Sequence, residues 1–404
     1  MRPATAIGEK LLHQAAAIQD ELRINSVAAD ANSEMTEKNI RLLQESGIAA
    51  AFVPEELGGA GLTSVHDWLL LIAKLAQGDG SAAIAINMHL GVTRGMATAY
   101  TRALASGHNS DGAAAPLKAV AAGKMLICAT ATERGTDNLR PQTEAVRRED
   151  GWQIDGQKLF VTMSPMATHV AMNLKIQDAE GDQIGTTMLP MNTAGIEPQN
   201  DWQALGMRGS GSQSLKLNQV QVPDKGVRRI APWGRWSVDM LVNRTLGNLP
   251  LVAAFLGIAE HAHELALAAV KSQSRAGEKV AQSPGVQQMV GELDIEMRAC
   301  RSVLQTAGRD ADDWLMTHAK QPPSIEAAHE LMQMYQAAKW VINRGAITIV
   351  DRAMDLSGGG AFMNGNVLSQ LYRDVRAGPF MQPHSPMDIR MYVGQVALEE
   401  YPAG

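Results

Sequence analysis

Cysteine is nearly absent: 404 residues hold two, Cys128 and Cys300, with no CxxC pair and no Cys/His cluster. That scarcity excludes a disulfide-stapled scaffold and a zinc-finger framework. It suits a reducing compartment, so a cytoplasmic protein without a metal is expected. Positive charge is not concentrated either. Lys plus Arg number 36 against 42 Asp plus Glu, a net charge of −6 with no basic block, which lacks the electrostatic footprint of nucleic-acid binding. Long apolar runs are also missing. The longest, Leu246 to Ala259, carries Asn248 and is too short for a bilayer span. The amino terminus turns amphipathic and acidic at once, with no apolar core before a small-residue cleavage site, so no signal peptide is expected.

What is present has three textures, and a chain of this length exceeds what one core normally supports. Residues 1–123 read as an all-α domain. Leu11, Leu12, Ala15, Ile18 and Leu22 recur at helical steps, and two more apolar segments, Val65 to Ala76 and Ala82 to Leu104, are separated from the first by the Gly/Pro-rich turn PEELGGAGLT. Residues 124–231 read as a β domain of short alternating runs, a compact barrel or sandwich ending its strands near Pro223, with the EDG at 149–151 as a hairpin turn. Residues 232–404 return to helices over Val238 to Gln273, Gln287 to His318, Ile325 to Leu356 and from Asp388, as a four-helix bundle would. The predicted class is α+β: an N-terminal helical domain, a central β-barrel domain and a C-terminal four-helix bundle.

Four segments in order, TATERGTD (Thr130 to Asp137), DGQKLFVT (Asp155 to Thr162), the stretch Trp202 to Pro223, and LSGGGAFMNGNVLSQLYRDVR (Leu356 to Arg376), resemble motifs of the acyl-CoA dehydrogenase superfamily. The resemblance spans about residues 10–398 and implies a bound flavin, FAD with FMN as the alternative. It implies that Thr130, Thr132 and Thr136 supply hydroxyl and amide donors to the flavin. Phe160 and Thr162, alternating about Val161, would share the strand face that lies against the ring. Arg275 stands where the family has a pyrophosphate-binding Arg, although its R-x-x-F-G signature is reduced here to Arg-Ala-Gly-Glu. Gly358 and Gly359 lie in a Gly-rich turn that serves a helix end and, in the family, a neighbouring subunit's flavin, which implies a homodimer or homotetramer. Met88, His89 and Phe380 are the expected lining of a substrate pocket.

The implied activity is α,β-dehydrogenation of a small-molecule substrate, a CoA or carrier-protein thioester, with an electron-transfer flavoprotein or a flavin reductase as redox partner. Such chemistry needs a carboxylate to take the α-proton. Nine positions beyond Arg373, where the family usually has its Glu, stands Gln382. The alternative position on the first bundle helix, Asn243 to Gly257, also carries no acid. That gap favours the superfamily's flavin monooxygenases, which hydroxylate S, N or C through a flavin hydroperoxide and need no such base. His384 and Ser164 are the remaining candidates near the ring. A non-catalytic helical binding protein is the third reading, excluded by flavin binding.

Three other patterns carry less. Glu260, His263 and Glu264 share a helix turn but find no second cluster to complete a metal site, so a solvated charged face is expected. LGGAGL (Leu57 to Leu62) lacks a βαβ context. Ser210 and Ser212 in GSGS have no partners for a nucleophile elbow.

Overall fold

The structure, a computed structural model, describes every residue except Asn109 and Ala179. The chain opens with α1 (Ala6–Ala17), α2 (Gln19–Asn32), α3 (Glu37–Glu45), α4 (Val65–Ala76), α5 (Gly80–Ala105) and α6 (Asp111–Ala121). Side-chain caps set several starts: Ser64 Oγ accepts the Asp67 amide at 3.1 Å and Asp79 Oδ1 the Ala82 amide at 3.1 Å. Leu11, Ala15 and Leu22 form the buried stripe anticipated from their spacing, although the helix breaks at Ile18. In the turn before α4, a side chain on Gly59 would stand 2.2 Å from the Val53 carbonyl, so only glycine lets these strands of backbone touch.

The middle of the chain is one eight-stranded sheet: β1 (Ile127–Thr130), β2 (Glu144–Arg148), β3 (Gly151–Val161), β4 (His169–Ile176), β5 (Gln183–Pro190), β6 (Ile196–Pro198), β7 (Gln213–Pro223) and β8 (Val227–Pro232). Its order is β6-β7-β3-β2-β4-β5-β8, with β1 parallel to β4. An antiparallel bridge between Thr132 and Leu159 joins the end of β1 to β3, so β1, β4, β2 and β3 close into a ring. The hairpin at 149–151 is present, with Arg148 paired to Gly151. Two strands, β6 and β8, were not read from the sequence. Inside lies a core of its own, including Cys128, Trp152, Val170, Leu174, Leu215 and Val220.

After β8 come α7 (Val238–Ser272), a two-residue ladder (Ser274–Arg275 with Glu278–Lys279), α8 (Pro284–Thr317), α9 (Ile325–Ser357), α10 (Val367–Val375) and α11 (Ile389–Ala397). By length and composition α7 could cross a membrane, but 72% of its apolar window is buried in this fold, where it packs on α4, α5 and α9. The two helical regions share one apolar core that runs from Leu11 and Trp68 through Leu256 and Leu304 to Ile349 and Val396. α10 fastens the three parts together. Arg373 donates to Asp30 of α2, with one contact at 2.8 Å, and buried Asp374 accepts the Met207 amide at 2.5 Å.

Candidate functional site

The β1–β2 connection, the end of β3, and the loop between α10 and α11 converge. Gln382 is the hinge of this meeting: its Nε2 donates to Thr132 Oγ1 at 3.0 Å and its Oε1 accepts from Asn138 Nδ2. The backbone around it is held from α9. Tyr335 donates its hydroxyl to the Gln382 carbonyl at 2.6 Å, and the Lys339 ammonium donates to the carbonyls of Met381 and, at 2.7 Å, His384. Lys339 has no exposed surface and faces carbonyl dipoles rather than a carboxylate, so burial pushes its amine down to about 7.

Below Gln382 the polar chain continues into the barrel. Asn173 donates to the Asn138 carbonyl at 3.3 Å, and Lys158 donates to Asn173 at 3.2 Å and to Glu133 at 2.5 Å. Glu133 also accepts the Gln142 and Thr143 amides. This buried pair fixes the turn carrying Thr132 against β3. Burial lowers the Lys158 amine to about 8 against the opposing pull of Glu133. Arg244 on α7 lies near this pair and makes no ion pair among the described residues; burial lowers it to about 10. Asn138, Lys339 and Arg244 carry no signal in the sequence, because they meet the loop or the buried pair only across long sequence separations.

Phe160 stands at one wall of the site. Its side chain is 57% exposed, an edge of Trp202 meets it at 6.0 Å, and its backbone is left-handed at φ +51, where β3 shifts register against β7. An exposed Phe in a strained conformation is not a core residue. The register shift corrects the expected alternation: β3 ends at Val161, and Thr162 lies beyond it, 2.9 Å from Ser212 Oγ.

The remaining candidates divide. Thr130 donates to the Leu159 carbonyl at 3.0 Å and Thr136 to the Arg140 carbonyl. Ser164 is buried and donates to the Gly211 carbonyl at 3.3 Å. His89 does not line a pocket. It is fully buried, accepting the Ile127 amide at Nδ1 (3.1 Å) and donating from Nε2 to the Ala49 carbonyl (3.0 Å), and burial lowers it to about 4, so it is a neutral structural residue. Met88 is half-buried against the helical core, while Phe380 is exposed in the loop preceding Gln382. His384 stacks on Tyr392 at 4.3 Å, and burial first, then the Lys339 charge, lowers it to about 4. Arg275 is exposed on its short ladder. Gly358, at φ +78, ends α9 and is exposed with Gly359. The Glu260 cluster is a solvated face only in part: Glu264 is exposed, whereas His263 and Glu260 are buried, the latter accepting from Arg301 at 2.6 Å and Gln77 at 2.5 Å.

An α-β-α chain with an uncovered aromatic wall, hydroxyl donors on a strand-to-turn edge and a loop closing over them defines the architecture of a flavin-type oxidoreductase. Family models agree: the N-terminal, middle and C-terminal domains of acyl-CoA dehydrogenase match residues 12–103, 127–220 and 245–382, and the chain belongs to the acyl-CoA dehydrogenase family. It is 29% identical to the amino sugar nitrososynthase DnmZ of Streptomyces peucetius, over 98% of this chain and 95% of that one. It is 28% identical to the L-evernosamine nitrososynthase of a Micromonospora species, over 98% and 91%. Among solved structures, KijD3 in complex with FMN and dTDP-3-amino-2,3,6-trideoxy-4-keto-3-methyl-D-glucose superposes with a TM-score of 0.90, at 25% identity, over 100% of this chain and 96% of that chain.

Proposed function

We propose that this protein is a flavin-dependent monooxygenase that oxidises the amine nitrogen of a small polar substrate, an amino sugar carried on a nucleotide. One observation carries the reading: the position of the dehydrogenase base is Gln382, an amide spanning Thr132 and Asn138. An amide takes no proton at neutral pH, and the half-buried ring of His384, stacked on Tyr392 and lowered to about 4, is too weak a base to hold one. Removal of an α-proton from a thioester therefore has no acceptor at that place, whereas nitrogen oxygenation requires none.

The residues present fit a flat ring with polar edges. Phe160 offers an uncovered apolar face, Thr132 keeps its hydroxyl proton uncommitted while accepting from Gln382, and Asn138 Oδ1 is buried without a partner among the described residues. A reduced flavin held there, FMN or FAD, would supply the two electrons with which one atom of dioxygen is placed on the substrate nitrogen and the other is released as water. A flavin reductase is the fitting redox partner. The protein's part is to hold the ring between Phe160 and the Gln382 loop, to orient its edge with Thr132 and Thr162, and to exclude water through that loop. Arg244, whose guanidinium makes no ion pair among the described residues, is the contact proposed for a substrate phosphate. The nitrososynthase relatives and the amino-sugar ligand of KijD3 support the substrate class.

The test has two arms. Protein supplied with reduced flavin, dioxygen and a dTDP-linked amino sugar should yield a product heavier by oxygen. Oxidised protein mixed anaerobically with an acyl-CoA should keep its flavin colour; bleaching would overturn the assignment in favour of dehydrogenation.

A further inference from the structure

Tyr335, Lys339 and Asn343 follow one another on α9 at four-residue steps, so they share one face, and that face meets the backbone of the loop carrying Gln382. The first two are in use. Tyr335 gives its hydroxyl proton to the Gln382 carbonyl, and Lys339 donates to the carbonyls of Met381 and His384. Asn343 is idle. It is 2% exposed, yet neither Oδ1 nor Nδ2 has a hydrogen-bond partner among the described residues. An amide buried with both ends unpaired is costly and uncommon in a folded protein.

Its neighbour is Gly378, where α10 gives way to the loop. A side chain there would stand 2.8 Å from Asn343 Oδ1 and 3.0 Å from the Phe255 ring, so glycine is needed for room. From Gly378 to Phe380 the chain makes one tight turn. The Phe380 amide donates to the Ala377 carbonyl at 3.1 Å and the Met381 amide to the Gly378 carbonyl at 3.2 Å. The turn holds its shape by its own bonds, and its largest side chain, Phe380, is 68% exposed rather than anchored in the core. Unpaired polar atoms gather here. Of eleven such buried side-chain atoms among the described residues, four border this loop: both of Asn343, Asn138 Oδ1 beside Gln382, and His384 Nε2.

We propose that Asn343 is a positioning residue for a second setting of the loop, in which the Gly378 turn settles onto its amide and Gln382 closes on the edge of a bound flavin. This rests on the flavin reading above. Tyr335 and Lys339 hold the loop in both settings, whereas Asn343 works only in the closed one. That role has its own energetic signature. An apolar side chain of similar size relieves an idle amide in the open setting and removes a hydrogen bond from the closed setting. Flavin draws the loop closed only as far as it favours that setting, so the substitution weakens flavin while sparing the fold. An asparagine satisfied by buried water, with a purely structural role, does the reverse.

The experiment compares the full chain with Asn343→Leu and Tyr335→Phe, measuring the urea midpoint without flavin and the affinity for FMN, with FAD in parallel. Asn343→Leu should keep or raise the midpoint and weaken FMN about tenfold, whereas Tyr335→Phe should lower both. Hydrogen exchange gives a second readout. FMN should slow the exchange of amides over 377–382 in the native protein and not in Asn343→Leu. Should the Leu variant fold poorly, Asn343→Ala is read by affinity and exchange alone. A lower midpoint for Asn343→Leu, or FMN affinity and exchange unchanged in the Asn343 variants, overturns the second setting while flavin binding stands. Failure of the native protein to bind either flavin overturns the flavin reading, and this inference with it.

Discussion

Gln382, Lys339 and Phe160 carry the account at the level of single residues. Gln382→Leu keeps the volume but strands the amide of Asn138 and a lone pair of Thr132. Two lost hydrogen bonds of this kind should cost about 2 kcal/mol, read as a lower urea midpoint at unchanged slope. Lys339 sets a pH dependence whose sign follows from its lowered amine. The folded protein releases this proton near 7, while the unfolded chain keeps it up to the ordinary 10.5. Between those values the unfolded state binds more protons, so the Lys339 contribution rises with pH across that window. Lys339→Met abolishes the titration. The stability of the native protein relative to this variant should therefore increase from neutral pH to about two units above it, as measured by urea unfolding at both. An unchanged difference would show that burial does not lower the Lys339 amine in the folded protein. Phe160 was expected against the ring face, a role that belongs to the proposal. Its exposure agrees with an aromatic wall, but its left-handed backbone, and with it the displacement of Thr162 from the strand, has no periodic signature in the sequence.

At the level of elements, helices were legible and connections were not. α4 was read at its observed ends, and α7, α8 and α9 within a few residues, because long amphipathic runs with Ser or Pro at their starts carry strong periodicity. α10 escaped notice inside the Gly-rich motif, although it joins α2, the barrel and the bundle. β6 was missed for being short, and both β6 and β8 lie at the sheet's edges, where alternation weakens. His89 failed as a pocket residue because nothing in an apolar helix pattern shows that both ring nitrogens meet backbone groups of other elements. The clamp of α10 gives a prediction of its own. Arg373→Met removes charge-assisted bonds to Asp30 and should cost about 1.5–3 kcal/mol. Loss of amide protection should then reach α2 and the 205–207 segment before the centre of α9, as read by hydrogen exchange.

For the whole molecule, the division into three parts hides how the parts cohere. The barrel has a core of its own, but the helices on either side of it in sequence share one. α7 is the common member, buried against helices from both ends of the chain. Leu256→Ala, at a position without exposed surface, should cost about 2–5 kcal/mol. It should lower the protection of α4 and α9 together; a loss confined to the carboxy-terminal helices would show that the shared core does not unfold as one. This cohesion also explains the site. Thr132 and Phe160 come from the barrel, Arg244 from α7 and Gln382 from a loop held by α9, so the proposed site draws on the barrel and the shared helical core together.

The fate of dioxygen decides between oxygenation and dehydrogenation. Protein with reduced flavin, a dTDP-linked amino sugar and isotopically heavy dioxygen should place a heavy oxygen atom on the substrate nitrogen, seen by mass spectrometry. A product whose oxygen comes from water, or turnover of an acyl-CoA to its unsaturated form without dioxygen, would contradict it.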